Sequence, residues 1–304
     1  MLKTAFYYLI FPGFLFAAIV GLMSCWIDRK VSARIQWRVG PPWHQNFTDI
    51  VKLLGKEIIV PEGVKITFLL APFIGLVSVV LIVAILGVSI LSSSQGFIGD
   101  LIVILYLLMI PAVSLIIGAF SSRNPLASIG ASREMKLILG YELPFILAVV
   151  AVIVKSSGAI QLGAIIQQQL FFGSNIFSYS GALAFIVAVI CMQAKLGATP
   201  FDISEAEQEI AGGVLIEYSG LPLAVFKLTK ALLLYAMPLL LISLFLGKDM
   251  GPLFISLKYV GLLVVIILIK NTNPRLRIEQ ALKFFWGPVT VLALAALVLA
   301  LFGL

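Results

Sequence analysis

Five stretches of this chain contain no charged residue: 4–27, 66–99, 101–122, 156–194 and 284–304. Each is long enough to cross a bilayer, for which a helix needs about 20 apolar residues. A backbone in hydrocarbon must satisfy its own amides, so such runs fold as helices. Three further apolar stretches carry internal charges: about 137–155 with Glu142, about 221–246 with Lys227 and Lys230, and about 253–270 with Lys258. Together they predict an all-α integral membrane protein with eight transmembrane helices, at about 5–27, 66–91, 99–120, 137–155, 180–197, 221–246, 253–270 and 283–302. Charged residues make up only 12% of the chain, half of the roughly 25% of a soluble domain. That excludes a water-soluble enzyme, a disordered chain and a collagen-like one. The first run is too long for a signal peptide, lacks a small-x-small cleavage site and leads into Asp28-Arg29-Lys30, so it is expected to remain a span.

The charges also orient the spans. The segments after spans 1, 3, 5 and 7 hold fifteen of the 21 basic residues. By the positive-inside rule they face the cytoplasm, and both termini face outward. The same rule accounts for the net charge of +7 without a nucleic-acid partner. No internal repeat or low-complexity linker divides the chain, so residues 1–304 are expected to form a single membrane domain. Its cytoplasmic loops are 28–65, 121–136, 198–220 and 271–282. Cys25 and Cys191 are too few for an iron–sulfur cluster, which usually takes four thiolates. His44 is the lone histidine, and a metal site on it is not expected. No phosphate loop, nucleophile elbow or H-E-x-x-H motif is present, so no chemistry is expected from this chain alone.

The cytoplasmic segments are informative. Phe47, Ile50, Val51, Leu54 and Ile58 recur at helical spacing, with Asp49, Lys52 and Lys56 elsewhere on the wheel. This predicts an amphipathic helix lying on the membrane or against a partner. The segment 199–220 carries Asp202, Glu205, Glu207, Glu209 and Glu217, with Lys195 just before it. Acidic residues contribute little to topology. Closely spaced carboxylates repel, which raises some of their pKa values toward neutrality. The loop therefore either exchanges protons or docks a basic partner. Glu142 lies inside a span, where a charge costs about 2.5–3.5 kcal/mol at the helix centre. It is either functional, or it snorkels or pairs with Arg133 or Lys136. Lys227 and Lys230 lie where they can neutralise the acidic loop or stand opposite Glu142.

These residues resemble a known family. Asp28-Arg29-Lys30, Arg38-Val39-Gly40-Pro41 and the run Asp49 to Glu57 look like the first cytoplasmic segment of the complex I subunit 1 family, also called the H-subunit family. Tyr141-Glu142 is similar to that family's Tyr-Glu. The stretch from Pro200-Phe201-Asp202 through Glu205-Ala206-Glu207 to Glu217-Tyr218-Ser219-Gly220 is the most specific match. Pro274-Arg275-Leu276-Arg277 with Gln280 resembles the motif before the last helix.

A shortened first loop, Gly130-Ala131-Ser132-Arg133-Glu134, Ala206-Glu207-Gln208-Glu209, Lys227 and Lys230 are closest to the branch serving energy-converting membrane-bound [NiFe] hydrogenases, as in formate hydrogenlyase-like complexes. Lys230 stands where the respiratory branch tends to have a glutamate. The resemblance implies a membrane anchor and coupling subunit of an ion-pumping complex in the prokaryotic cell membrane. Glu142, Asp202, Glu205, Glu207, Glu209, Glu217, Lys227 and Lys230 would couple redox events to proton or sodium movement. Arg29, Lys30, Arg34, Arg38, Asp49, Arg133, Arg275 and Arg277 would dock a hydrogenase large subunit and an iron–sulfur small subunit. The NiFe centre and the iron–sulfur clusters would lie on those partners, and antiporter-like subunits would sit alongside in the lipid bilayer.

The alternative is the quinone-site subunit of a respiratory NADH or related dehydrogenase complex. The short first loop would leave its quinone cavity reduced or absent. A stand-alone transporter is disfavoured by the lack of repeats. A purely structural anchor would tolerate neutralisation of Glu142.

Overall fold

A computed structural model describes residues 9–61, 65–91 and 96–303; the side chains of Lys65 and Glu207 lie outside that description. All regular structure among the described residues is helical. Six stretches are long and apolar enough to cross a membrane. They are α3 (Lys65–Leu91), the pair α4 (Asp100–Leu107) and α5 (Ile110–Ser121), α6 (Pro125–Lys155), α10 (Gly220–Phe245), α11 (Pro252–Thr272), and α12 (Ile278–Phe284) continued by α13 (Thr290–Leu301). A π-helical turn at Phe285–Val289, containing Pro288, joins the last two.

Two of the eight expected spans fall short of that description. The first helix, α1, runs Phe14–Ile35, and its last third carries Asp28, Arg29, Lys30 and Arg34. Helix α8 is Tyr179–Lys195, 17 residues long. At 1.5 Å per residue that is roughly 26 Å, just short of the hydrocarbon thickness. Its Ala184, Val187, Ala188, Cys191 and Met192 are fully buried, so it lies inside the bundle.

Three boundaries differ from expectation. The segment 121–136 is not mainly a loop, because α6 begins at Pro125. Asn124 caps it, its Oδ1 accepting from the Leu126 N–H at 2.8 Å, and proline suits the first helical position. Secondly, α1 continues through its charged residues to Ile35. Thirdly, α7 (Leu162–Phe172) occupies part of the charge-free run before α8. It is too short to span, and packs through Leu162, Ile165, Ile166 and Gln169.

Helix α10 is the central element, buried almost throughout its second half. On one side it meets α1 and α3; α6, α8 and α13 form the other group. Gly21 of α1 lies directly on the backbone of Ala231 in α10, where any Cβ would collide with the carbonyl. Small residues permit this close approach between membrane helices.

The amphipathic helix is α2, Gln45–Leu54, which stops at Gly55 and leaves Ile58 outside it. Val51 and Leu54 are exposed, so part of its apolar face turns away from the protein. Buried Asn46 fixes the helix instead, donating to the Leu22 carbonyl at 3.0 Å and accepting from Arg29 at 2.7 Å. Asn46→Ala should remove both bonds at a cost of about 1–3 kcal/mol, because the Leu22 carbonyl and the guanidinium lose a partner. Amides 45–54 should then exchange hydrogen faster in the purified complex. Unchanged exchange there would show that α2 is held by lipid alone.

Candidate functional site

The acidic segment is folded tightly between α8 and α10. It leaves α8 at Lys195, turns at Gly197 and passes through a cis Thr199–Pro200 bond. Phe201 is buried against Phe284 and Phe285, and the Leu276 N–H donates to the Pro200 carbonyl at 3.1 Å. A short turn at Ile203–Glu205 leads to the single-turn helix α9 (Glu207–Ile210). The chain then returns through Ala211, Gly212 and Gly213, all with positive φ. Tyr218 closes the loop, its ring stacked 4.1 Å from Phe68 and its hydroxyl donating to the Phe68 carbonyl at 3.2 Å. Burial pushes the Tyr218 phenol well above its usual range.

This packing brings distant charges together. Glu142 pairs with Lys195 at 2.6 Å, with the two side chains 11% and 4% exposed. Arg133 and Lys136, the partners considered for a Glu142 without a function, do not pair with it. Tyr141 and Phe145 flank the Lys195 ammonium, with ring centres at 5.1 and 4.9 Å. Asp202 pairs with Arg275 at 2.6 Å, while its other oxygen is buried with no partner among the described residues. Glu205 pairs with Lys230, and Asp28 with Lys270 at 2.7 Å. Of these pairs only Glu142–Lys195 is buried on both sides; such a pair contributes little net stability, but removing one partner costs about 3–5 kcal/mol.

Residues of these pairs line two neighbouring cavities. A cavity of about 340 Å³ is lined by Asp28, Asp202, Glu205, Lys230, Lys270 and Arg275. A smaller one of about 50 Å³ lies between Glu134, Lys195, Ser204, Glu205 and Lys230. Glu205 and Lys230 belong to both. Asp202, Glu205 and Lys230 line the larger cavity, and Glu142 lies behind Lys195 at the smaller one. Under α2 a third cavity, about 210 Å³, shares Cys25 and Lys230 with the first. Its walls include Leu22, Ile50 and Ala231, with Arg29, Asp49 and Lys227 also lining it.

Other expected coupling residues lie elsewhere. Exposed Glu209 pairs with Arg133 at 2.5 Å. Glu217 accepts from Asn124 at 2.5 Å, tying the loop to the cap of α6. Lys227 is exposed and lines the third cavity together with Lys230. Glu207 falls outside the described side chains. Of the expected docking residues, Arg34, Arg38 and Arg277 are exposed and Lys30 is half-buried. Arg29, Arg133 and Arg275 pair with Asp49, Glu209 and Asp202 of the same chain.

Four residues of the site are not legible as functional groups in the sequence: Asp28, Glu134, Lys195 and Lys270. Lys195 directly follows a 39-residue charge-free run and reads as a topology signal. Glu134 sits eight residues before Glu142 on one helix, and that spacing is the one signal pointing to it. No group of three or more His, Cys, Asp or Glu side chains suited to a metal occurs among the described residues.

Comparisons with known proteins agree over nearly the whole chain. The family model described as NADH dehydrogenase matches residues 8–301. The NADH-quinone oxidoreductase H subunit of Dehalococcoides mccartyi (strain ATCC BAA-2266 / KCTC 15142 / 195) is 33% identical over 313 residues, covering 97% of this chain and 85% of the relative. The corresponding protein of Geobacillus kaustophilus (strain HTA426) is 30% identical over 292 residues, covering 90% and 86%. A chain of the membrane-bound sulfane sulfur reductase (MBS), an archaeal respiratory membrane complex, superposes with a TM-score of 0.88 at 29% identity, covering 98% of this chain and 99% of its own.

Proposed function

Because this chain belongs to the NADH dehydrogenase family of H subunits, we propose that it couples electron transfer in a docked redox module to ion movement across the membrane. It is a multi-pass membrane subunit of the prokaryotic complex I-like type. In this reading all eight apolar segments, α1 and α8 included, traverse the bilayer as one domain with both termini outside. The other subunits of the complex supply the iron–sulfur clusters and the remaining ion path.

One observation carries the proposal. Three ion pairs, Glu205–Lys230, Asp202–Arg275 and Asp28–Lys270, line one cavity beside the acidic loop, and Lys195 of the buried Glu142–Lys195 pair lines a second cavity that shares Glu205 and Lys230 with it. Ionisable groups inside a membrane bundle are costly and mark ion or proton pathways. Here they meet the same loops that present Arg34, Arg38 and Arg277 to a partner.

Within this family the respiratory, quinone-site reading stands ahead of the [NiFe] hydrogenase reading. Its support is twofold. The two bacterial relatives are subunits of NADH-quinone oxidoreductases, and the matched solved chain is from a respiratory sulfur reductase. The space beside α1 and the acidic loop is also larger than a shortened first loop leads one to expect. Its 340 Å³ falls within the size range of ligand pockets, and it shares Cys25 and Lys230 with the cavity under α2.

The native complex tests the assignment directly. Inhibitor-sensitive quinone reduction without nickel is expected. Nickel with hydrogen evolution from reduced viologen would return the chain to the hydrogenase branch. Reduction of sulfane sulfur without either would place it beside the archaeal complex.

A further inference from the structure

We propose that Trp37 is the anchor by which the docked redox module is recognised: its indole enters an apolar slot on a soluble partner protein, and carboxylates on the rim of that slot face Arg34 and Arg38. The inference rests on the docking of such a module proposed above.

The chain holds this indole outward under strain. Helix α1 closes with two hydrogen bonds. The Trp37 N–H donates to the Arg34 carbonyl at 3.1 Å, and the Arg38 N–H donates to the Ala33 carbonyl at 2.7 Å. That closure needs a left-handed residue at its corner, a place glycine usually takes. Here Trp37 occupies it, with φ at 60°, where a bulky residue is an outlier. Contacts within the chain do not offset the strain, because the residue is 98% exposed. Strain of this kind is typical of positions kept for function.

The loop behind the indole is fixed. Trp26 donates to the Pro41 carbonyl at 3.1 Å. Gly40 lies so close to α1 that a Cβ there would stand 3.0 Å from the Lys30 side chain and 3.1 Å from Ala33 Cβ. Trp37 is thus displayed on a preorganised corner, which lowers the entropy lost on binding.

Its height above the membrane excludes lipid as the occupant. The Asp28–Lys270 pair ends the apolar runs of α1 and α11 together. From Ile27 to the end of α1 at Ile35 the helix climbs about 12 Å, or about 9 Å at a tilt of about 40°. The headgroup layer is roughly 5–8 Å thick on each side. Trp37 lies past it, where a soluble module docks.

Charge sets the chemistry of the partner. Residues 28–38 contain four basic residues and one acid, and that acid, Asp28, is taken by Lys270. Arg34 and Arg38 are exposed and form no ion pair among the described residues. Trp and Arg are enriched in the contacts that dominate binding energy. The complement of this group is an apolar pocket with an acidic rim.

The native complex tests this with Trp37→Gly. Glycine removes the indole and suits the left-handed corner, so a loss of binding is not a loss of fold. Membranes stripped of the redox module are titrated with that module at several salt concentrations. Trp37→Gly should weaken rebinding about thirtyfold or more, the effect of losing one dominant contact, and keep its salt dependence. Arg34→Ala/Arg38→Ala should weaken rebinding and flatten the salt dependence. A photoreactive benzoylphenylalanine at position 37 should crosslink to a soluble subunit, in a segment bearing Asp or Glu. Crosslinks to lipid or to a membrane subunit overturn the inference, as does wild-type rebinding of Trp37→Gly. If Trp37→Gly rebinds normally while the arginine variant does not, only the anchor fails and the docking reading stands. If neither variant changes rebinding and no soluble subunit is crosslinked, docking at this face fails as well.

Discussion

Replacing Glu142 by Gln should leave the complex assembled and slow redox-driven ion translocation about a hundredfold, the low end of what a positioned proton-transfer group contributes. The substitution keeps the size of the side chain and an oxygen that accepts from Lys195. It removes the negative charge and the capacity to bind a proton. The ammonium still lies between the rings of Tyr141 and Phe145, so α6 and α8 remain packed. Truncation to Ala is the wrong experiment, because it adds a void to an unpaired buried cation and mixes folding with function. Acidification or sodium uptake by liposomes, measured beside electron transfer, separates the two. Coupled wild-type pumping would exclude Glu142 from the ion path. Loss of electron transfer and translocation in equal measure would point to a structural role.

The sequence exposed the bundle because hydrocarbon imposes a simple rule. A charge-free run of about 20 residues must become a helix, and most of the expected spans were legible on that ground. The same rule misplaced the start of α6. Arg133, Glu134 and Lys136 looked like the end of a loop, yet Asn124-Pro125 already carried a helix-start signal. Hydropathy also merged α7 with the approach to α8, since neither contains a charge before Lys195.

The acidic loop was conspicuous in sequence, whereas its partners were not. Asp202 meets Arg275, 73 positions later, and Asp28 meets Lys270, 242 positions later. Periodicity describes one element at a time and carries no record of such pairings. For that reason the pairs that Arg29, Arg133 and Arg275 make with acids of their own chain were not legible. The partner of Glu142 was hidden for the same cause. Its sequence neighbours Arg133 and Lys136 were considered, while the actual partner lies on α8. Charge placement therefore disclosed a candidate coupling site, and only packing disclosed how its charges are paired.

That pairing depends on one contact that carries no charge. Gly130→Leu should lift the acidic loop from α6 and abolish translocation and module docking together. A Cβ at Gly130 would stand 2.9 Å from the Ser204 carbonyl oxygen, 2.9 Å from the Val214 nitrogen and 3.1 Å from Val214 Cγ1. Two of these are backbone atoms, which cannot rotate away as a side chain does. Inserting a larger side chain into a packed site typically costs about 1–3 kcal/mol, and here the strain is placed on the loop itself. Ser204 lines the small cavity beside Glu134, and Glu205 holds Lys230. Lifting the loop therefore opens that cavity and separates a charged pair in one movement. Limited proteolysis within residues 199–219 should become rapid in Gly130→Leu and intermediate in Gly130→Ala. Wild-type resistance in the leucine variant would mean that the loop is held by its partner subunits rather than by α6. Under that outcome the geometry around Glu134 is set by the assembled complex and not by this chain.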